Sequence, residues 1–519
     1  MFKTLVNIFR IPELRNKVLF TIALLCVYRI GFYVPLPGVD ANALLQSAKA
    51  NSDSAFGVLS GYMSMFSGGA LNQSTIFGLG IMPYISASII LQLLSTVLPQ
   101  LEALRKEGEP GMRKINEWTR YLTVVICVIQ AGIWLRHLQA AQGPYLLYGI
   151  IRNSPSNMFI FWLMGLATLT AGSLFLMWLG EQIDQFGIGN GVSLIITAGI
   201  VSRMPTAIWD VIQDSPFADI PTNWSQYGSL KALQMAFDVQ NQSKPYNILT
   251  ILFLVSAFII VVGGSILLTQ AQRRIKIQQA KHMRGRKVYG GTAAYLPLRV
   301  NHAGVMPIIF ASSLMIFPGM LAQWLTGLIL QHSSSGATAS NWQTVLIAIV
   351  QSFHQGLYLY ELMYIGMIFF FSYFWNTVQF NPKEMANQLR DYGSFVQGLR
   401  PGKRTAEYLE NVMIRITYVG ATFLCVIAVI PSLIATFVLG GGAKSYQITQ
   451  FLGGTGLLIV ISVMLDVVNR IEANLVMRNY GGFLETGAAG NRLKNRIRGP
   501  VGRTPSPDKN DGDSQGIPA

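Results

Sequence analysis

Ten blocks of apolar residues punctuate this chain, each about 20 residues long and so able to cross a hydrocarbon core of about 30 Å as a helix. They lie at roughly 18–37, 75–99, 118–138, 157–180, 188–204, 247–269, 303–330, 357–380, 411–437 and 451–470. In lipid each backbone N–H and C=O needs a partner within the protein, so such blocks fold as helices and pack into a bundle. Charge is scarce for the same reason: 12% of the 519 residues are charged, against about 25% in a soluble domain. The first block is followed by Pro35-Leu36-Pro37-Gly38 rather than by a small-residue cleavage site, and reads as a retained span. The fold class expected is all-α, a polytopic membrane protein of ten spans.

An even number of spans puts both termini on one side, and the basic residues identify it. Of 39 Lys and Arg, 30 fall in five places: the N-terminal tail (4), the loop near 100–120 (5), the loop 273–299 (8), the loop 381–410 (5) and the tail from Arg470 (8). The opposite side holds seven, and Arg29 and Arg415 lie within spans. Both termini are expected on the cytoplasmic face.

Orientation gives meaning to a repeated phrase. Gly80-Ile81-Met82-Pro83-Tyr84-Ile85-Ser86-Ala87-Ser88-Ile89 is echoed by Gly304-Val305-Met306-Pro307-Ile308-Ile309-Phe310-Ala311-Ser312-Ser313. A Gly and a Pro three residues apart are expected to break a membrane helix. The phrase sits in the second and the seventh span, which run in opposite directions. Two inverted five-helix halves follow, an arrangement associated with transport across bilayers. The expected organisation is 1–205 for spans one to five, 206–246 for an outer hinge loop, 247–470 for spans six to ten, and 471–519 for a cytoplasmic tail. The outer loop carries Asp210, Asp214, Asp219, Trp224 and Tyr227, and its length leaves room for a small structure of its own. Beyond Pro500 the tail has the composition of disordered chain.

Catalytic and metal chemistry find little support. Cys26, Cys127 and Cys425 lie in apolar blocks and read as small buried hydrophobes. The five histidines are scattered without an HExxH pattern, and Gly402-Lys403 lacks the rest of a phosphate loop. No cofactor, no metal and no enzymatic activity are expected; energy from a nucleotide would come through a partner.

A small-solute transporter usually places ionisable groups near mid-membrane. Here the candidate midplane residues are Ile, Val, Leu, Ser and Gly, while Arg29 and Arg415 read as snorkelling or paired with another helix. An aliphatic constriction can exclude water and ions yet deform around a bulky guest. A secondary transporter with inverted repeats stays the alternative to a channel. Ahead of the second span, 57–74 is moderately apolar, too short to cross and broken by Gly68-Gly69; a re-entrant helix and an interfacial one both fit. The loop 273–299 holds eight cations and no acid, which suits docking of a large anionic partner or of anionic lipid headgroups.

Several stretches resemble one family, in its order, over about residues 10–490: Met65-Phe66-Ser67-Gly68-Gly69-Ala70-Leu71, Gly80 to Gln92, Lys106-Glu107-Gly108-Glu109, and Met177-Trp178-Leu179-Gly180-Glu181-Gln182-Ile183 with Gly187 to Gly191. Leu296-Pro297-Leu298 with Asn301, Phe380-Asn381-Pro382-Lys383-Glu384, Gly398-Leu399-Arg400-Pro401-Gly402 and Phe451-Leu452-Gly453-Gly454-Thr455 complete the set. The chain is similar to the SecY family, channel subunits of the Sec translocon of the bacterial inner membrane. The resemblance implies an hourglass pore through which unfolded polypeptides cross, or leave sideways into lipid. It places a pore ring on Ile81, Ile85, Val192, Ile196, Ile309 and Ile459, with Val192 where Ile is usual. It implies a plug over about 60–74, including Ser60, Met63, Met65, Phe66, Ser67, Gly68 and Gly69. A lateral gate between spans two and three and spans seven and eight has Asn301 at its polar edge. Arg286, Lys287 and Arg400 match docking points for the SecA motor or the ribosome. SecE and SecG as small membrane subunits, secretory signal peptides, nascent polypeptides and anionic lipids complete the implied partners.

Overall fold

The structure, a computed structural model, describes residues 11–40, 44, 74–140, 155–213, 215, 248–279, 282–284, 287–289, 293–302, 304–315, 318, 352, 357–437 and 455–486. Within these, α1 spans Pro12–Gly31, α2 Met82–Val97, α3 Pro99–Lys106, α4 Glu109–Ala140, α5 Pro155–Phe186, α6 Gly191–Gln213 and α7 Ile248–Gln270. There follow β1 Gln272–Gln279, β2 His282–Arg284, β3 Lys287–Tyr289, β4 Ala293–Arg299, α8 Met306–Leu314, α9 Tyr358–Gln379, α10 Pro382–Asp391, β5 Ser394–Val396, α11 Lys403–Phe437 and α12 Thr455–Thr486. A helix overlaps each of the ten apolar blocks. Among the described residues, five helices are long and apolar enough to cross a membrane, or six if the bent pair α2–α3 counts as one span.

Proline sets many of the helix starts. It occupies the first or second position of α1, α2, α3, α8 and α10, where its missing N–H costs nothing because that donor has no intrahelical partner. Pro99 also forces a corner. The residue before a proline avoids helical backbone, Leu98 is extended (φ −91°, ψ 119°), and α2 and α3 meet at a 98° bend. The repeated phrase therefore begins helices rather than breaking them. Gly80 and Gly304 take φ of 61° and 63°, a left-handed turn that suits glycine. The next residues, Ile81 (φ −93°, ψ 0°) and Val305 (φ −93°, ψ −5°), cap α2 and α8, and a proline sits in the first turn of each. Two segments 224 positions apart (304 minus 80) thus share one backbone path, residue for residue.

Packing repeats as well. In the first half α1 lies on α5, α2 on α4, and α4 on α5; in the second α7 lies on α11, α8 on α9, and α9 on α11. Counted as spans, these are the pairs one–four, two–three and three–four, then six–nine, seven–eight and eight–nine. α2 also packs against α8, a contact between the two expected halves. Outward faces stay apolar, as on α7 with Leu252, Ile259, Ile260 and Leu267, which suits a helix bathed in lipid. The chain is an all-α membrane bundle of the expected class. Residues Met1–Asp466 form one compact unit and Val467–Ala519 a second.

Some boundaries differ from expectation. α6 passes through Pro205 and ends at Gln213, so the start of the presumed outer loop, Asp210 included, is helical. A proline lacks one donor but does not end a helix whose apolar surroundings favour internal hydrogen bonds. Trp224 and Tyr227 lie outside the described residues. Cys127 and Cys425 are buried, whereas Cys26 is exposed on α1 and departs from the buried reading; all three are free thiols.

Among the described residues, the strands β1 to β5 all lie in the basic loops. β1 pairs antiparallel with β4, from Gln272 opposite Arg299 to Gln278 opposite Ala293, and on its other edge with β5 at Ile277–Val396 and Gln279–Ser394. β2 and β3 form a separate hairpin. In β1, Ile275 and Ile277 point inward while Arg274 and Lys276 are exposed, the alternation of a half-buried strand. The inward side joins Leu298, Phe380, Val396, Leu409 and Met413 in a core of its own. Two loops more than 100 residues apart in sequence become one body.

Candidate functional site

The six residues of the implied ring lie at or just inside helix starts. Ile81 caps α2 and Ile85 lies in its first turn, Val192 lies in the first turn of α6 and Ile196 in the next, Ile309 lies in the first turn of α8, and Ile459 just past the first turn of α12. Five of them expose between 0% and 5% of their surface, and Val192 is half-buried. Ile85 N–H donates to Ile81 O and Ile309 N–H to Val305 O, each at 3.1 Å, so Ile85 and Ile309 hold equivalent places in the two copies. The helices carrying them, α2 and α8, are in contact.

Aromatic side chains fix the two copies. Phe77, just ahead of Gly80, stacks between Tyr28 of α1 (centroids 6.3 Å) and Phe175 of α5 (5.9 Å). On the other side Phe310 meets Phe371 and Trp375 of α9 edge-on at 5.7 and 5.3 Å. Such pairs each add about 0.5–1.5 kcal/mol beyond burial. The start of α6 is held by polar groups: Asn190 Oδ1 accepts from Ser193 N–H (3.0 Å), Asp184 Oδ1 from Gly191 N–H (2.7 Å), and Thr21 Oγ1 of α1 from Ile188 N–H (3.2 Å).

The residues implied for the plug from Ser60 through Gly69 lie outside the described residues, but the segment's exit is described. Residues 34–36 run antiparallel to 74–76: Pro35 bridges Thr75, Leu36 N–H donates to Ser74 O (2.8 Å) and Ile76 N–H to Val34 O (3.0 Å). Ser74 is fully buried with φ 43°, a left-handed backbone rare outside glycine. Its Oγ accepts from Trp134 Nε1 of α4 at 3.1 Å. Both ends of the 37–73 excursion are thereby joined at one point, beside a core of Leu36, Leu79, Trp134, Leu135 and Phe161.

Asn301 is buried, and its Nδ2 donates to Gly304 O at 2.8 Å. The side chain thus ties down the left-handed turn from which α8 departs. Its neighbour His302 packs edge-on against Phe380 (6.0 Å), and burial, with Arg299 nearby, holds its pKa below the ordinary histidine value, favouring the neutral ring.

Of the docking residues, Arg286 lies outside the described residues and Lys287 opens β3. Arg400 is exposed in the turn after β5, where its carbonyl accepts from Thr405 Oγ1 (2.8 Å) and Gln397 N–H donates to Lys276 O (3.3 Å) of β1. The Arg400 turn and the β1–β4 ribbon therefore belong to the same sheet. Arg29 lies over Phe32 and Tyr33 at 4.4 and 5.2 Å, just beyond the end of its own helix, and its Nη2 donates to Tyr33 Oη at 3.3 Å. Arg415 is exposed on α11. Among the described residues no cluster of three or more His, Cys, Asp or Glu could hold a metal ion.

Residue patterns gave no warning of Thr21, Trp134 or Asp184, whereas Asn190, a good helix N-cap residue directly before an apolar run, carried a local signal.

The SecY family model matches residues 75–468, more than half of the chain. A protein translocase subunit SecY from Streptomyces griseus is 41% identical over 486 residues, which cover 93% of this chain and 100% of that one. Among solved structures, one described as a protein conducting channel is 17% identical with a TM-score of 0.54, covering 89% of this chain and 93% of that one. Sec61 from a canine ribosome-channel complex of the endoplasmic reticulum is 18% identical with a TM-score of 0.50, covering 89% and 93%. These two structures share the fold.

Proposed function

This chain belongs to the SecY family, and from that premise we propose that it is the protein-conducting subunit of a Sec translocase. Unfolded secretory polypeptides pass between its two halves, and membrane segments leave sideways where α2 meets α8. The observation that carries this is the pair of matched helix starts, which brings aliphatic Ile85 and Ile309 to equivalent buried places on two helices in contact. Ile81, Ile85, Val192, Ile196, Ile309 and Ile459 act as a ring. With no charge and no hydrogen-bonding group in its side chains, the ring resists a continuous water file and holds ions back by dewetting. Aliphatic side chains can still rotate aside for a passing chain.

Around this waist, 60–74 serves as a second barrier, anchored at Ser74 by Trp134. Asn301 sets the hinge of α8 at the edge of the lateral opening. The halves are 1–205 and 247–470, joined through 206–246. Both termini and the sheet body face the cytoplasm of a bacterium, with the chain in its inner membrane, a reading supported by the thirty cations on one side. That sheet body, with Arg286, Lys287 and Arg400, receives the SecA motor or the ribosome, and anionic lipid surrounds it. SecE and SecG complete the assembly, and nascent chains with signal peptides are its cargo. The chain has no catalysis of its own; the motor supplies nucleotide energy.

Reconstitution tests the reading. In vesicles holding this chain with SecE, SecG, SecA and ATP, a secretory precursor is expected to become protected from external protease. Saturable uptake of a small solute, with no precursor protection, would favour the transporter instead.

A further inference from the structure

We infer that Arg105 is a positioning residue that latches the two halves together at the face of the basic loops and so sets how readily the waist parts. The inference rests on the channel reading above. Arg105 Nη2 donates to the carbonyl oxygen of Val378 at 2.8 Å, across 273 positions of sequence and from one half to the other. Val378 is the penultimate residue of α9, and the last four carbonyls of a helix have no partner within it. They also form the negative end of the helix dipole, where a cation is favoured. A guanidinium on such a carbonyl makes a charge-assisted bond, stronger than one between neutral groups.

The mounting of Arg105 makes the contact mechanical. It stands on α3, which α2 becomes after the single extended residue Leu98. α3 in turn lies hard against the start of α4: a Cβ on Gly111 would stand 1.7 Å from Leu104 O, so only glycine admits that approach. Glu107 N–H closes the corner by donating to both Ala103 O and Leu104 O at 3.2 Å. The neighbouring Lys106 is engaged with Glu102 at 2.7 Å. Arg105 is therefore carried by a stiff bracket fixed to α2 and α4, while its acceptor belongs to α9, which packs on α8. α2 and α8 cannot separate at this end without stretching or breaking the Arg105–Val378 bond. Two residues beyond Val378, Phe380 enters the core beneath the sheet that carries the Arg400 turn. A partner that tilts this sheet pulls on the acceptor of the latch.

Paired spin labels test this in the full chain with its partner subunits in vesicles. Labels at Ala103→Cys and Thr377→Cys, with Cys26, Cys127 and Cys425 replaced, report the spacing across the latch. Arg105→Ala is expected to raise the ratio of parted to closed spacings about tenfold, as loss of a charged hydrogen bond at a helix end implies. Resting ion conductance should rise with it. Arg105→Lys should recover most of the closed population, since a cation at the helix end remains. Arg113→Ala, which removes an exposed ion pair with Glu109 in the same corner, should change neither. If Arg105→Ala is poorly recovered, Arg105→Gln supplies the same comparison. Unchanged spacings in Arg105→Ala or Arg105→Gln would overturn the latch. If the spacings respond but the unsubstituted chain moves no precursor, the latch stands and the channel reading falls.

Discussion

Ile85 and Ile309 were legible as a pair because a repeated phrase carried them, and the backbone angles at Gly80 and Gly304 show why the phrase recurs. A polar group at this waist should give water a foothold. Ile309→Asn is expected to raise the resting ion conductance of planar bilayers well above that of a lipid-facing control such as Ile260→Asn; equal tightness of the two would remove Ile309 from the seal. Deleting Met63–Gly69 should add to the leak if the proposed plug stands in series with the ring. Trp134 is a different case. Nothing in the sequence links it to Ser74, because the bond joins residues 60 positions apart through a backbone conformation that serine seldom adopts. Trp134→Phe keeps the ring packing and removes the buried hydrogen bond, at an expected cost of about 1 kcal/mol. Thermal unfolding in detergent should show the loss, and a stability equal to wild type would deny Trp134 that anchoring role.

At the scale of elements, proline was read for its power to interrupt helices and acts here by starting them. Pro83 and Pro307 lie in first turns, and Pro99 turns α2 into α3. The strands left a fainter trace. Arg274-Ile275-Lys276-Ile277 alternates with the period of a strand, yet so short and so charged a run also suits a solvated loop. The pairing of β1 with β5 is not readable from the sequence, since it joins loops with two helical spans between them. That pairing predicts that the Arg400 turn and the β1–β4 ribbon act together. Arg400→Glu should lower SecA-driven translocation about tenfold or more through like-charge repulsion at the docked surface, while the protein still inserts and keeps its thermal stability. Wild-type translocation rates with this variant would separate Arg400 from docking and favour lipid contact for the basic face.

At the scale of the whole molecule, hydropathy marked where helices form, one at each apolar block, because the bilayer rather than packing imposes it; the orientation proposed from the charge count draws on the same constraint. Which helices touch was not legible beyond the inverted symmetry; the recurrence of one–four, two–three and three–four packing in the second half comes from side-chain fit. Two such halves should survive separation. Chains cut within 216–247 and co-expressed are expected to co-purify, as helices that insert independently can associate afterwards; halves that never co-purify would count against a two-half architecture. The central claim, that a polypeptide passes the aliphatic waist, meets its most direct test in disulfide crosslinking. A secretory chain stalled in transit and bearing one Cys is paired with Ile85→Cys, Ile196→Cys or Ile459→Cys, after Cys26, Cys127 and Cys425 are replaced. The account predicts crosslinks at all three positions, lost when the stalled chain lacks its signal peptide. Absence of crosslinks at all three, with the chain demonstrably engaged, would contradict it.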